Sequence, residues 1–388
     1  MKQSSIRSSI AALAGLSLVV ASCGSDTGAE PDASEPVAAE TVAPAAGDED
    51  VADEDVADED VAAVVDTTTA EPAAVEELPT IVVTTNILGD VVGEVVGDLA
   101  SVVTVMPVGA DPHDFQASAQ EVDSMMNADA LIVNGEGFEE GLLDVIENAT
   151  GDGVPTHEAM STVEPIEFGA GGHDHGDDDH GDDDHGDDAH GDDDHGDDHG
   201  DEAKDDDHDH SGVDPHFFTD PMRMAAAVEG IVEFLRAEVD FADPEALGAS
   251  ADAYVAELVA VDGDVEGLVA SIPEEQRVLV TNHEALGYFA DRYGFEIVGA
   301  VIPGGSTTDS VSAAELAELA EIIEAEGVPA IFADTSSSDQ LVQTLASEVG
   351  DIAVVSLFTG SLGDADSEGA TYLDAVRTNG QRISDALS

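Results

Sequence analysis

Basic residues are scarce in this chain. Its 388 residues include nine Lys and Arg against 88 Asp and Glu, and the formal net charge is −79. A surface with so few cations cannot neutralise many phosphate groups, and the composition argues against nucleic acid or anionic lipid surfaces as partners. Part of the negative charge lies in two low-complexity stretches, and the rest of the chain is still acidic.

Cysteine is nearly absent as well, and Cys23 is the only one, which excludes an intramolecular disulfide. The apolar run over residues 10–21 is too short to anchor a helix stably in a bilayer. With Lys2 and Arg7 before it, the run predicts an export signal over residues 1–22. Its end, VASC, resembles the bacterial lipobox, which implies a lipid on Cys23 at the outer face of the cell membrane. A plain cleaved signal with an incidental cysteine is the alternative.

The stretch after the signal lacks Lys, Arg and aromatic residues through residue 78 and includes DEDVADEDVADEDVA. Like charges on a chain of low hydrophobicity repel one another and extend it. Residues 23–78 are therefore predicted to be a disordered acidic tether, with weak metal binding as the alternative.

A second stretch lacks apolar side chains and is rich in histidine. Residues 173–210, here called the His-rich loop, hold nine of the 13 histidines and 20 acidic residues with one Lys. Without apolar side chains it cannot form a packed core, so we predict a flexible loop. Its imidazoles are predicted to form auxiliary metal sites, with an acidic spacer as the alternative. These histidines are His173, His175, His180, His185, His190, His195, His199, His208 and His210.

The remaining sequence alternates short apolar runs with amphipathic segments, which favours parallel βαβ units. It predicts an α/β fold with two lobes, residues 79–243 and 272–388, joined by one long rigid helix over residues 244–271. A ligand would then lie in the cleft between the lobes, since open α/β sheets bind ligands beyond the carboxyl ends of their strands. Predicted strands cover residues 81–85, 102–107, 130–134, 278–281, 297–302, 330–333 and 353–357, and predicted helices cover 88–96, 118–127, 138–148, 221–238, 286–293, 313–326, 338–349 and 372–387.

Four histidines stand outside the His-rich loop: His113, His157, His216 and His283. Three of them occupy distinctive contexts, GADPHDFQ, DPHFFTDP and TNHEALGYF, at loops or strand-to-helix junctions, whereas His157 does not. Three neutral imidazoles meeting in a cleft would suit Zn²⁺, with a carboxylate or water in the fourth position. Asp111 or Asp214 could then fix a ring tautomer.

These three motifs, in this order, resemble those of the ZnuA/TroA-type metal-binding proteins of bacterial ABC importers. The segment SLFTGSLGDADSEGATYLDAVRTN is similar to the last motif of that family, and the resemblance covers residues 79–388. It implies a monomer with two lobes, a rigid linking helix and a divalent metal between the lobes. It also implies that His113, His216 and His283 are the ligands and that an ABC membrane permease is the partner.

The chain departs from the family pattern at Gly360, where many members carry an Asp ligand. The fourth position is then expected to be water or a nearby carboxylate such as Asp364. Losing that carboxylate favours zinc over manganese, because Mn²⁺ prefers oxygen ligands. A His-rich loop is also similar to loops in zinc-specific members of the family.

Other functional classes are alternatives to the capture and delivery of Zn²⁺. A zinc hydrolase would also use three histidines, but the sequence lacks HExxH, GxSxG and P-loop motifs. Glu284 would be its general base, although a solvated helix-start residue explains it as well. A manganese- or iron-binding homologue and a surface lipoprotein acting as adhesin or zinc buffer are the remaining alternatives. The sequence thus predicts a binding protein without catalytic residues.

Overall fold

The computed structural model describes residues 78–169, 212–350 and 352–388 of the chain. The predicted signal peptide, Cys23, the tether up to residue 77 and the His-rich loop lie outside the described residues. Among the helices in the described ranges, none combines the length and the apolar character needed to cross a bilayer.

The first lobe is built on a parallel sheet of four strands in the order β2-β1-β3-β4. Its inner strands carry apolar side chains on both faces, as a parallel sheet covered by helices requires. The strands are β1 (Thr80–Val83), β2 (Ser101–Thr104), β3 (Ala130–Val133) and β4 (Thr156–Glu158), and the helices are α1 (Asn86–Val96), α2 (Ala119–Met126) and α3 (Leu143–Gly151).

Two helices, α4 (Pro221–Glu238) and α5 (Pro244–Val269), follow the first lobe and lead to the second. Each begins with proline after an aspartate whose side chain accepts a hydrogen bond from the first turn, which is a favourable helix start. The second lobe repeats the arrangement, with strand order β6-β5-β7-β8. Its elements are β5 (Val278–Thr281), α6 (Gly287–Tyr293), β6 (Glu296–Ala300), α7 (Ala313–Glu326), β7 (Ala330–Asp334), α8 (Gln340–Val349), β8 (Ala353–Leu357) and α9 (Tyr372–Leu387).

One hydrophobic core runs through both lobes. It joins residues of β1 and α1 to residues of α5, β5 and α9, while the outer face of each sheet has a smaller cluster of its own. The buried side chains of α5 recur at steps of three and four residues, as on one face of a helix. The prediction of two parallel α/β lobes with a long helix between their sheets is confirmed.

In the first lobe, the predicted start of one helix is wrong, and one short strand was missed. The helix predicted to begin at Phe138 begins at Leu143, because Gly135, Glu136 and Gly137 all have positive φ and turn the chain sharply before it. The strand β4 was not predicted at all. It has only three residues, partly exposed and without an apolar run, and its pairing with β3 is what makes it a strand.

Candidate metal centre

His113 lies in the loop that follows β2. Its backbone N–H donates to Asp111 Oδ1 at 3.1 Å, a local turn that aspartate makes readily two residues before an amide. The ring is buried, and its edge meets the ring of Phe138 with centroids 5.0 Å apart. Nδ1 lies 3.0 Å from Glu140 Oε1, so this contact orients the ring.

His216 repeats this local design immediately before α4. The motif is again Asp-Pro-His, and the backbone N–H of His216 donates to Asp214 Oδ1 at 2.9 Å. The same carboxylate oxygen lies 2.8 Å from Nδ1 of the ring. Asp214 is itself held by Tyr288, whose hydroxyl donates to the Asp214 carbonyl at 2.8 Å. The two identical tripeptides thus make the same backbone turn, whereas the ring Nδ1 contacts Glu140 in the first and the tripeptide's own aspartate in the second.

His283 comes from the second lobe, two residues after the carboxyl end of β5. The side chain is fully buried, and neither ring nitrogen has a hydrogen-bond partner among the described residues. The next residue, Glu284, continues the chain towards α6, and its backbone N–H donates to Gly304 O at 3.0 Å.

The three rings meet between the lobes, with centroids 5.2–5.6 Å apart. One ligand atom from each of His113, His216 and His283 lies within 4.8 Å of the others. Within the described part of the chain, the Nε2 atoms of all three lack a hydrogen-bond partner. Nitrogens sharing one tetrahedral zinc lie about 3.4 Å apart, so a small inward movement would bring them to bonding distance.

Burial controls the protonation of His216 and His283. It lowers the pKa of His216 and of His283 well below the ordinary imidazole value, and repulsion from neighbouring histidine charges acts in the same direction. Both rings are therefore neutral at neutral pH, the form that binds a metal. Burial also raises the pKa of Asp214 to about 7, against the hydrogen bond from the His216 N–H and the charge of Arg223.

Side chains from the second lobe reach the residues that orient the histidines. The Thr307 hydroxyl donates to Asp111 Oδ2 at 2.6 Å, and the Thr308 hydroxyl lies 3.5 Å from Glu140 Oε2. Asn86 of the first lobe accepts from Leu362 N at 2.8 Å and donates to Ser361 Oγ at 3.0 Å. The lobes are therefore bridged by polar contacts beside the cluster.

Several residues that the sequence suggested as candidates lie outside the cluster of three histidines. Asp364 is exposed and does not belong to the histidine group, and His157 lies in β4 with its ring stacked on Phe234. Glu284 is partly buried, and its Oε1 accepts from Gly304 N at 3.4 Å. Cys23 and the nine histidines of the His-rich loop lie outside the described residues.

Two carboxylates near the cluster were missed by sequence reasoning. Glu140 follows no predicted strand, so no sequence signal marked it as the partner of His113. Asp334 is buried at the carboxyl end of β7. Asp334 directly follows the apolar run that predicted this strand. Because open α/β sheets bind ligands beyond the carboxyl ends of their strands, this position was a signal that could have identified Asp334.

Comparison with known proteins identifies the family of this chain. A family model described as ZnuA, the periplasmic component A of a zinc-uptake complex, matches residues 81–386. The manganese-binding lipoprotein MntA of Halalkalibacterium halodurans is 27% identical over 308 residues, covering 79% of this chain and 88% of that protein. The zinc-binding protein TroA of Treponema pallidum is 27% identical over 332 residues, covering 82% of this chain and 92% of that protein.

The same relative is also similar in structure. The solved structure of the periplasmic zinc-binding protein TroA from Treponema pallidum superposes with a TM-score of 0.64 at 26% identity, covering 80% of this chain and 99% of that one. Its two-lobed α/β architecture matches the paired four-stranded parallel sheets described above. With the family model extending over nearly the whole described chain, this protein belongs to the ZnuA family of zinc-uptake components.

Proposed function

We propose that this protein is an extracytoplasmic solute-binding protein that captures Zn²⁺ and delivers it to an ABC import permease, without catalysing a reaction. The observation that carries the proposal is the buried group of three imidazoles, each of which offers one ligand atom within 4.8 Å of the other two. Among the described residues, none of their Nε2 atoms has a hydrogen-bond partner. Neutral imidazole is a preferred ligand of zinc, and the cation would be cargo.

The arrangement of the histidines also suits release of the bound ion to a permease. Pro215, next to His216, accepts a hydrogen bond from Asn134 Nδ2 at the end of β3, whereas the Tyr288 hydroxyl of α6 donates to Asp214. In the proposed release, the bond to Tyr288 breaks, and His216 stays with His113 on the first lobe. His283 belongs to the second lobe. Separating the lobes would withdraw one ligand of three, and a docked permease could drive that separation.

Manganese is the second candidate as cargo, because MntA of Halalkalibacterium halodurans is a manganese-binding lipoprotein. Imidazole-rich sites favour zinc, whereas Mn²⁺ prefers oxygen ligands. The balance between the two ions therefore depends on whether an oxygen donor joins the three histidines.

The rest of the proposal concerns the division of the chain into domains and the residues outside the described ranges. Residues 1–22 would be a signal peptide, Cys23 a lipid anchor at the outer face of the cell membrane, and residues up to 78 a tether. The folded part would act as a monomer with lobes at 79–243 and 272–388 and a linking helix at 244–271. The His-rich loop would collect zinc beside the cleft and pass it on.

The test is zinc stoichiometry, with competition against Mn²⁺, for the full chain and for a variant without residues 173–210. Phe168 N donates to Gly212 O at 2.9 Å, so the described residues that flank the deletion lie together and a short loop can join them. We expect one tight zinc in both proteins and none in His216→Ala.

His157→Ala is the matched control, since it removes a histidine that lies outside the cluster. Tight binding that survives His216→Ala, or that disappears with the His-rich loop alone, would overturn the proposed cleft site. The second outcome would instead favour a passive zinc buffer.

A further inference from the structure

The carboxylate of Asp334 lies beside His283 as a consequence of strand register. In the second lobe β5 and β7 are parallel neighbours, with Thr281 opposite Phe332. Two residues further along each strand come His283 and Asp334, which therefore reach the same level at the carboxyl edge of the sheet. Both residues line one small cavity, together with Thr359.

Gly360 leaves the space that this carboxylate occupies. A Cβ at position 360 would lie 2.7 Å from Asp334 Oδ2 and 2.5 Å from Ser336 Oγ, both too close for a carbon atom. The same point is 3.4 Å from Cδ of Pro112, the residue before His113. The Asp334 carboxylate thus shares a cavity with His283 and lies on the same side of Gly360 as Pro112, the residue before His113.

Asp334 is a buried acid with few compensating contacts. Its exposed fraction is 4%, and both hydrogen bonds that it accepts come from Ser336, at 2.9 and 2.8 Å. Burial raises its pKa, as does the charge of Asp111, whereas His113 lowers it. A buried carboxylate is costly to ionise unless a cation compensates it, so a divalent ion at the histidines would favour its ionised form.

We propose that Asp334 supplies an oxygen donor to the divalent cation held by His113, His216 and His283. This inference rests on the proposed function. Asp334 lies outside the group of atoms within 4.8 Å, so its carboxylate must turn from Ser336 towards the ion, releasing any proton to solvent. The chain would then combine three nitrogens with one oxygen, a set that accepts Mn²⁺ as well as Zn²⁺.

The experiment compares Asp334→Ala, Asp334→Asn, Gly360→Asp and the double variant Asp334→Ala/Gly360→Asp in the full chain. Zn²⁺ and Mn²⁺ affinities are measured in a chelator buffer that keeps weaker sites empty, and the visible absorption of bound Co²⁺ reports the ligand set. Urea unfolding confirms that each variant is folded. Asp366→Ala is the control, since it removes an exposed carboxylate of the same type.

We expect Asp334→Ala to lower Mn²⁺ affinity by about 10–100-fold and Zn²⁺ affinity by less, with a changed Co²⁺ spectrum. The affinities of Asp334→Asn should fall between those of Asp334→Ala and the wild type, and those of Asp366→Ala should match the wild type. Gly360→Asp should weaken binding through its clash with Asp334, and the double variant should recover it by moving the carboxylate to the vacated space.

Unchanged affinities and an unchanged Co²⁺ spectrum in Asp334→Ala would overturn the inference. If His216→Ala still abolishes tight zinc binding in that case, the proposed function stands and only the role of Asp334 fails. If His216→Ala leaves binding intact, the proposed function itself fails.

Discussion

At the residue scale, the contact between Asp214 and His216 decides which nitrogen the ring presents. When Asp214 is ionised it can only accept, so its Oδ1, 2.8 Å from Nδ1, selects the tautomer with the proton on Nδ1 and the lone pair on Nε2, which has no hydrogen-bond partner among the described residues. The carboxylate also accepts from the backbone N–H of the same residue, so it fixes both the turn and the ring. Partners of this kind hold ligand histidines in the geometry that a metal requires.

Removing this partner should therefore weaken metal binding. Asp214→Ala should lower Zn²⁺ affinity by about 10–100-fold, because the ring loses the contact that orients it and selects its tautomer. Asp214→Asn keeps an oxygen acceptor and should lose less. Chelator competition on the full chain measures both, with Asp114→Ala as the control because Asp114 is exposed although it adjoins His113. Equal affinities in Asp214→Ala and Asp114→Ala would contradict this role.

The sequence identified the three cleft histidines but missed two acids beside them. The Asp-Pro-His tripeptides are local signals, since each aspartate acts on an amide two residues away. Glu140 lies 27 positions from His113, and their contact depends on how the loops after β2 and β3 pack. The approach of Asp334 to the cluster depends on the pairing of β5 with β7, which periodicity does not reveal.

At the element scale, α5 packs against the second lobe through the shared core, and one buried acid on it binds two residues of α6. Asp262 faces the lobe in place of an apolar residue, and Arg292 of α6 donates to both its carboxylate oxygens at 2.9 and 2.5 Å. Tyr293 adds a third hydrogen bond at 3.0 Å. Two-point recognition of a carboxylate by arginine fixes direction as well as distance, so α5 and α6 are held at a defined angle.

Asp262→Ala should lower the free energy of unfolding by about 1–3 kcal/mol, because it leaves the Tyr293 hydroxyl without its acceptor and the Arg292 guanidinium with only its longer contact to the exposed Glu266. Asp264→Ala is the matched control on the same helix. Its ion pair with Arg377 is about half-exposed, and exposed pairs contribute about 0–1 kcal/mol. Urea unfolding followed by circular dichroism measures the free energy of unfolding of both variants. An equal decrease in the two would contradict a larger contribution from the buried Asp262.

Element boundaries were predicted best where a cap or a proline marks them. The starts of α4 and α5 at Pro221 and Pro244, and of α7 after its Ser312 capping box, agree with the sequence. The start of α3 was wrong, because three successive positive-φ residues redirect the chain before Phe138. Such a turn depends on where the loop must go, since glycine permits this conformation without requiring it.

At the scale of the whole molecule, the cleft and the His-rich loop should respond differently to acid. The loop histidines are expected to protonate near the ordinary imidazole pKa of about 6.5. Below that pH, protons compete with zinc for the imidazole nitrogens. In the cleft, burial lowers the pKa of His216 and His283, so both remain neutral and able to bind metal below that pH. Zinc held in the cleft should therefore survive further acidification.

We expect the full chain to release zinc in two stages as pH falls from 7 to 5, measured by equilibrium dialysis at each pH. The first stage, at about pH 6, should disappear when residues 173–210 are deleted. The metal-free protein should also lose stability below about pH 6.5, because its unfolded imidazoles take up protons that the folded ones resist. A single release step with the same midpoint in both proteins would contradict the proposed division of roles.

The sequence by itself determined the two-lobed α/β architecture, the long helix and the three histidine motifs. These follow from local properties, namely the periodicity of apolar side chains, helix caps, and aspartates that bind amides two residues away. Only the tertiary structure decided that the three rings meet between the lobes, that Glu140 and Asp214 orient two of them, and that Asp334 fills the space left by Gly360. Those contacts depend on strand order and on the packing of one lobe against the other, which join residues far apart in the chain.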